Sequence, residues 1–344
     1  MTKKQAGLRL SLDDVILRLQ PFGGISTYWR ELTAGLTALR VQYDLVTRRP
    51  AIRIEPAFTP GSLFHSSYYR FGIGRGARTI TTVHDLIHER GLLTSLPSRM
   101  FVTYRKALFR LTDGFVCVSE QTKRDLLEIY PNESRSKPIQ VAQHGNPLSS
   151  FIAGASMPPV ESTSTAREKV FVFVGTRQGY KSFGVALEAF SLSGLSKENY
   201  RLVCTGAPFS DAECEQLDAM GLRERVISTG QLSTEDIYKL YGKALALIYP
   251  SIYEGFGLPV LEAMTFGCIP LVADIDPMRS ISQGVVSAFP PGDASALALQ
   301  MQAVTSPEFA AAAAKRAQAR ARDFEWKASI ESHVSLYRLL GATH

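Results

Sequence analysis

Short, nearly unbroken apolar runs alternate with helix-length segments along almost the whole chain. In the first half they are YDLVT, SLFHSS, RTITTVHDL, DGFVCVS and IQVAQHG; in the second they are KVFVFVG, RLVCTG, RVISTG, LALIYPS and IPLVAD. A strand that is apolar on both sides needs cover on both faces of its sheet, and helices between successive strands supply it. The pattern therefore predicts an α/β chain with parallel sheets. Residues 8–18 read as the first strand. FGGIS follows, and then a helix, TYWRELTAGLTAL, with Trp29, Leu32, Leu36 and Leu39 at helical spacing. The alternation breaks once, at NPLSSFIAGASMPPVESTSTARE, a Ser-, Thr-, Pro- and Gly-rich stretch that reads as a linker. Two doubly wound, Rossmann-like domains facing each other across a cleft are expected, at 1–146 and 169–325, with the linker at 147–168. Residues 326–344 are expected to form a C-terminal helix packing back on the first domain. A length of 344 residues suits two domains.

The composition, 45% hydrophobic and 20% charged, is that of a globular chain and excludes disordered and fibrous classes. No apolar run approaches the roughly 18 residues a membrane-spanning helix needs. Asp13 and Asp14 interrupt the apolar N-terminal stretch, so a secretory signal is not expected. Cys117, Cys204, Cys214 and Cys268 make no C-x-x-C pair. Three of them lie in apolar runs, which predicts reduced core thiols rather than zinc ligands. The net charge of +6 is uneven: the first 150 residues hold 21 Lys+Arg against 12 Asp+Glu, and the remainder 17 against 20. A basic first half suggests an anionic partner. No basic motif interleaved with aromatics supports nucleic acid, and no G-x-G-x-x-G follows a first strand to support a nicotinamide dehydrogenase.

SIYEGFGLPVLEAM, residues 251–264, places Glu254 and Glu262 around a glycine-rich turn between a strand and a helix. Pro259 suits the first helical turn. Ligands of open α/β sheets bind at the carboxyl ends of strands. A helix N-terminus there favours phosphate, and Gly255 and Gly257 allow close backbone approach. Glu262, about one turn in, is suited to accept hydrogen bonds from ribose or sugar hydroxyls. The pattern asks for a ligand with both phosphate and hydroxyl groups, such as a nucleotide sugar.

This stretch resembles the E-x7-E signature of the retaining glycosyltransferase family 4, which has the GT-B fold. FGGISTYWREL, TVHDL, CVSEQTKRDLLE, VGTRQGYKSFGVALEAF, TGQLSTEDIYKLY and the helix near Trp326 are similar to further family segments and fall in the family's order. The resemblance implies a hexosyltransferase using a nucleotide-diphosphate sugar, similar to mannosyltransferases of O-antigen or other surface polysaccharide assembly. GDP-mannose or a related GDP-sugar is the donor it suggests. Glu254 would sit by the donor sugar and Glu262 on the ribose. The backbone of Gly255, Phe256, Gly257 and Leu258 would contact sugar and diphosphate. Gly23 and Gly24 match the N-terminal glycine loop, and His84 matches a histidine near the reaction centre. Asp85 is expected only to hydrogen-bond locally. Lys181 matches the lysine that neutralises the diphosphate leaving group. The family often has Arg directly before that lysine; this chain has Tyr180, and Arg177 is the candidate replacement. A second departure is DIDPMRSISQG, where the family often has a Pro-Glu pair and then Gly. The D-x-D at Asp274 and Asp276 lies away from the inferred diphosphate loop, so no metal and no other cofactor is expected. His144 reads as a hinge or cleft residue.

The resemblance further implies retention by front-face attack, with the leaving phosphate taking the acceptor's proton. The acceptor would be a glycan or a polyprenyl-linked glycan bound by the first domain. SRMFVTYRKALFRL, residues 98–111, places Phe101, Tyr104, Leu108 and Leu111 on one stripe and Arg99, Lys106 and Arg110 on another. Such a helix either packs on the core with a solvated basic face or rests on an anionic membrane. A cytoplasmic protein, at the inner face of the plasma membrane in the second case, is expected. The alternative function is a catalytically inactive GT-B-like protein that binds sugar nucleotide and serves as a partner.

Overall fold

The computed structural model describes residues 8–46, 55–152, 167–177 and 179–342. Residues 1–7 and most of the proposed linker, 153–166, lie outside them. The chain divides into two compact units. One comprises residues 1–145 and 149–153 together with the C-terminal segment from Glu325; the other comprises 146–148 and 154–324.

The first unit contains β1 (Arg9–Asp13), β2 (Asp44–Val46), β3 (Ala57–Phe58), β4 (Ser62–His65), β5 (Gly72–Ile73), β6 (Arg78–Val83), β7 (Gly114–Cys117) and β8 (Ile139–Val141). Six of these form one sheet in the order β2-β1-β4-β6-β7-β8, and β3 pairs with β5 apart from it. Every pairing is parallel. The stretch 8–18 is not one strand: β1 stops at Asp13, and a short helix, Val15–Leu19, follows. The Asp13 carboxylate explains the stop. It accepts from the Ser67 backbone N–H at 2.9 Å and pairs with the buried Arg70 at 2.7 Å, so the chain end of β1 is tied across to the loop after β4.

Helix Gly24–Ala38 buries Tyr28, Trp29, Leu32 and Leu36 against this sheet. The C-terminal helix Trp326–Leu339 packs beside it and joins the same core through Trp326, Ile330 and Val334. Each fully buried large apolar side chain of this kind contributes about 1.5–3 kcal/mol. Approach is close: a Cβ on Gly35 would meet Ile330 at 2.6 Å, and one on Gly145 would meet the Trp326 backbone nitrogen at 2.1 Å.

The second unit contains β9 (Glu168–Phe173), β10 (Arg201–Cys204), β11 (Val226–Ser228), β12 (Ala244–Tyr249) and β13 (Ile269–Val272), ordered β11-β10-β9-β12-β13 and parallel throughout. From β9 the chain winds outward through β10 to β11, then returns to the other side of β9 at β12. The strand order therefore reverses between β9 and β12, and the crevice outside their carboxyl ends is where such sheets take ligands. The C-terminal alanine-rich stretch is two helices, Pro307–Ala321 in this unit and Trp326–Leu339 in the other, separated by residues 322–325. Among the described residues no helix is long and apolar enough to cross a membrane.

Candidate active site

In the second unit the two strands flanking the reversal each deliver a charged side chain. The turn after β9 runs into a short 3-10 segment, Gly179–Lys181, and the loop after β12 carries Glu254. The Lys181 ammonium lies 2.6 Å from the Glu254 carboxylate and donates to the Tyr249 hydroxyl at 2.9 Å. Both charged side chains are only about a tenth exposed (12% and 11%), so the pair is weakly screened by water. The two loops are also joined by backbone, since the Ile252 N–H donates to the Tyr180 carbonyl at 2.9 Å. Gly175 follows β9 with a φ of +117°, a conformation that favours glycine, and the Lys181 side chain passes beside it.

Helix Leu258–Thr265 starts directly after the GFG turn, with Pro259 in its first turn and no side-chain cap at its N-terminus. Its leading N–H groups have no intrahelical acceptor, as at any helix start. Gly257 precedes it at φ +114°. A Cβ there would meet the Met278 methyl at 2.2 Å, so the turn is packed from below by the helix Asp276–Ile281. That helix is the segment DPMRSI, where the sequence departs from the family pattern; it supports the GFG turn through Met278. Asp274 and Asp276 both bond Arg279. Among the described residues no group of three His, Cys, Asp or Glu side chains could hold a metal. Phe256 is buried and packs edge-on against Phe324, and Leu258 is buried beside it in the sequence.

Glu262 lies on the second turn of the same helix, half-buried. Burial of its carboxyl pushes the pKa up to about 8. The folded group keeps its proton to about pH 8, whereas an unfolded glutamate loses it near 4.5. Glu262 therefore contributes stability that is complete below the unfolded value and lost as pH rises through the folded one. Glu262→Gln, neutral at every pH, is expected to flatten that dependence. Between about pH 5 and pH 8 the wild-type chain loses stability relative to the variant by about 1.4 kcal/mol per pH unit. Denaturant titrations of both proteins across that range check this, and parallel curves contradict it.

Arg177 is brought into the same unit, but its Nε and one terminal nitrogen are engaged. Nε bonds Glu213 at 2.7 Å, a terminal nitrogen reaches the Pro208 carbonyl at 2.8 Å, and the guanidinium lies over the Phe209 ring at 4.7 Å. The hydrogen bond from Arg177 draws the Glu213 carboxyl down to about 2. Glu213 is also the third residue of a capping box with Ser210. That S-x-x-E was visible in the sequence as SDAE, which marks a helix start at Ser210 but not the contact of Glu213 with Arg177. Tyr180, at the family's arginine position, places its ring 5.3 Å from the Lys181 ammonium.

His84, Gly23 and Gly24 belong to the first unit. His84 follows β6, and its ring meets the edge of Tyr28, four residues into the helix that Gly24 begins, at 5.0 Å. Gly23 takes φ +123° at the N-cap of that helix. Behind His84 runs a buried polar network that the sequence did not reveal. The Tyr28 hydroxyl bonds Thr82 at 2.8 Å and His333 at 2.7 Å, while His65 bonds Thr82 and Tyr337, each at 2.7 Å. Burial pushes His84 down to about 3 and His333 down to about 4, and it lowers His65 and His144 well below the ordinary histidine value. All four rings are therefore neutral at physiological pH. His144 packs against Tyr28 and Trp326 at 5.4 and 5.5 Å. Asp85 accepts locally from the Ile87 N–H at 3.2 Å.

Residues 159–322, which include every strand and loop of the second sheet, match the family model described as Glycosyl transferases group 1. That segment resembles a group 1 glycosyltransferase domain. Over 188 residues, 54% of this chain, it is 28% identical to the O-antigen chain mannosyltransferase B of Escherichia coli. It spans 49% of that relative, and 27% of the serotype-specific mannosyltransferase WbdA of Escherichia coli, to which it is 27% identical over 222 residues. Among solved structures, a sucrose-phosphate synthase from Thermosynechococcus elongatus aligns over 97% of this chain and 99% of its own, with a TM-score of 0.69 and 20% identity. HepE of Anabaena, solved in complex with UDP and glucose, aligns over 96% of this chain and all of its own, with a TM-score of 0.67 and 14% identity. These likenesses establish the fold: the group 1 domain is one half of a GT-B protein. Within it, Lys181, Glu254 and the GFG turn occupy the strand reversal.

Proposed function

We propose that the chain is a retaining glycosyltransferase that moves a hexose from a nucleotide-diphosphate sugar to a glycan or lipid-linked acceptor in O-antigen or surface polysaccharide assembly. The observation that carries this reading is the Lys181–Glu254 pair at the reversal between β9 and β12, beside an uncapped helix N-terminus. A cation and helix amides suit a diphosphate, and a carboxylate suits sugar hydroxyls. The mannosyltransferase relatives favour mannose, and GDP-mannose is the first donor to try.

In the reaction the bond between the anomeric carbon and the diphosphate oxygen breaks, and its electron pair leaves with the diphosphate. Lys181 and the helix start at Leu258 stabilise the charge that builds there. The acceptor hydroxyl attacks from the same face, and its proton passes to the departing phosphate oxygen. Glu254 grips the sugar, Glu262 the ribose, and Gly255, Phe256, Gly257 and Leu258 line the sugar and diphosphate. Arg177 acts through Glu213 unless the diphosphate draws it away. No metal takes part, so EDTA should leave turnover unchanged, and a loss restored by Mg²⁺ would overturn that part.

The test is a donor screen. GDP-, UDP-, dTDP- and ADP-sugars are each added to purified protein, with melting temperature and nucleoside diphosphate release recorded. One donor is expected to raise the melting temperature and to be hydrolysed slowly. A donor that stabilises without turnover, even with membrane extract as acceptor, favours the inactive sugar-nucleotide-binding partner.

An anionic membrane is the proposed peripheral contact. In helix Leu96–Leu111, Leu108 is buried and Phe101 and Tyr104 half-buried, so that stripe faces the core. The opposite face exposes Leu96 (71%) and Met100 (66%) among Arg99, Lys106 and Arg110, and Leu111 at the helix end is also exposed. Apolar side chains set among bases suit an anionic bilayer. Vesicles with anionic lipid should co-sediment the protein better than neutral ones. Charge reversal at Lys106 and Arg110 should weaken this by about 1 kcal/mol per residue, and equal binding to both vesicle types contradicts the contact.

A further inference from the structure

Strand β12 ends on Tyr249, whose ring is buried in the second unit while its hydroxyl reaches the charged pair. The Lys181 ammonium donates to the Tyr249 oxygen at 2.9 Å and to Glu254 at 2.6 Å, so one ammonium bridges the phenol and the carboxylate. A phenol suits that place, because its oxygen offers lone pairs for an ammonium. Phenylalanine would fill the same space and supply none. Burial, and then the Glu254 charge, push the tyrosine hydroxyl well above its ordinary range, so it keeps its proton.

A lysine on a short 3-10 segment has a flexible four-carbon stem and no rigid geometry of its own. Glu254 alone is a poor anchor for it, since the reading above requires that carboxylate to turn to sugar hydroxyls. Tyr249 sits on a central strand of the sheet and does not depend on the ligand. An ammonium has three N–H donors. Two are taken by Glu254 and Tyr249, which leaves one for a ligand oxygen.

We propose that Tyr249 is a positioning residue, whose hydroxyl holds the Lys181 ammonium in place for the departing diphosphate when Glu254 engages the donor sugar. The proposal rests on the glycosyltransferase reading, and two measurements separate the fates of the two. The first is turnover. Tyr249→Phe is expected to lower kcat for nucleoside diphosphate release about 10- to 100-fold, the scale of one hydrogen bond to a charged group. KM for the donor should change little, because the hydroxyl does not touch it. In a Lys181→Ala background the same substitution should cost nothing further, since its effect passes through the lysine. A packing defect would instead lower the melting temperature and add to the loss. Tyr249→Leu, the second variant, is expected to show the same interdependence with Lys181.

The second measurement needs no donor. Each lysine is labelled with an amine-acylating reagent and quantified by peptide mass spectrometry. Labelling of Lys181 should rise several-fold in Tyr249→Phe, with the other lysines unchanged. Wild-type protein that turns over no donor overturns the glycosyltransferase reading, and labelling then decides the Tyr249–Lys181 contact alone. Unchanged labelling of Lys181 overturns the positioning role. So does near-wild-type turnover, or a loss that adds fully to that of Lys181→Ala.

Discussion

Lys181→Ala is expected to lower donor turnover by about 10²–10³-fold, the cost of removing one preorganised charge donor from a transition state. The effect should fall on kcat more than on KM. Charge builds on the diphosphate only as the glycosidic bond breaks, so the ammonium acts most strongly after binding. Its placement supports the size of the effect. Lys181 is about nine-tenths buried, held at 2.6 Å by Glu254 and at 2.9 Å by Tyr249, so little reorganisation is needed as charge develops. Steady-state kinetics on the donor found in the screen checks this, and turnover within a few-fold of wild type would remove Lys181 from the mechanism.

Glu254→Ala carries the second large effect. The substitution removes the proposed acceptor for sugar hydroxyls and leaves Lys181 without its counter-charge. Hydrogen bonds to a charged group are worth about 1.5–3 kcal/mol each. A loss of about 10²–10³-fold in kcat/KM follows, with a rise in donor KM that Lys181→Ala does not share. The double variant should be little worse than the more damaged single one, because the two side chains act as a unit. Full transferase activity in Glu254→Ala would contradict the role outright.

How much of this was legible in the sequence differs by element. The second sheet was readable strand by strand, because runs such as VFVFV and LALIY are buried on both faces and leave no polar alternation to confuse the pattern. Strand order was not readable, since apolar runs carry no record of their neighbours, and the reversal between β9 and β12 emerges only from pairing. The first strand was over-extended to residue 18 because VILRL is as apolar as a strand; the Asp13 ties to Ser67 and Arg70 end it, and both partners lie more than fifty residues away. In the site, Glu254, Glu262 and the GFG turn were visible from their spacing, since loop and helix there are contiguous in sequence. The partner of Arg177 was only half visible: the capping box was in the sequence, but the fold had to bring it beside the loop after β9. Tyr249 gave no sign, because a tyrosine at the end of an apolar run looks like core until its hydroxyl meets Lys181. The His65–Thr82–Tyr28–His333 network spans four separate segments and leaves no local pattern at all.

The most direct test of the central claim follows a labelled sugar. Purified protein is incubated with membrane extract and the stabilising donor, isotopically labelled in its hexose, and both the glycan or lipid fraction and the free nucleotide are measured. A retaining transferase built on Lys181 and Glu254 releases one nucleoside diphosphate for each hexose that appears in the acceptor fraction, with the donor's anomeric configuration in the new linkage. Donor that binds and stays intact, with no label in any acceptor fraction, would instead make this a sugar-nucleotide-binding protein.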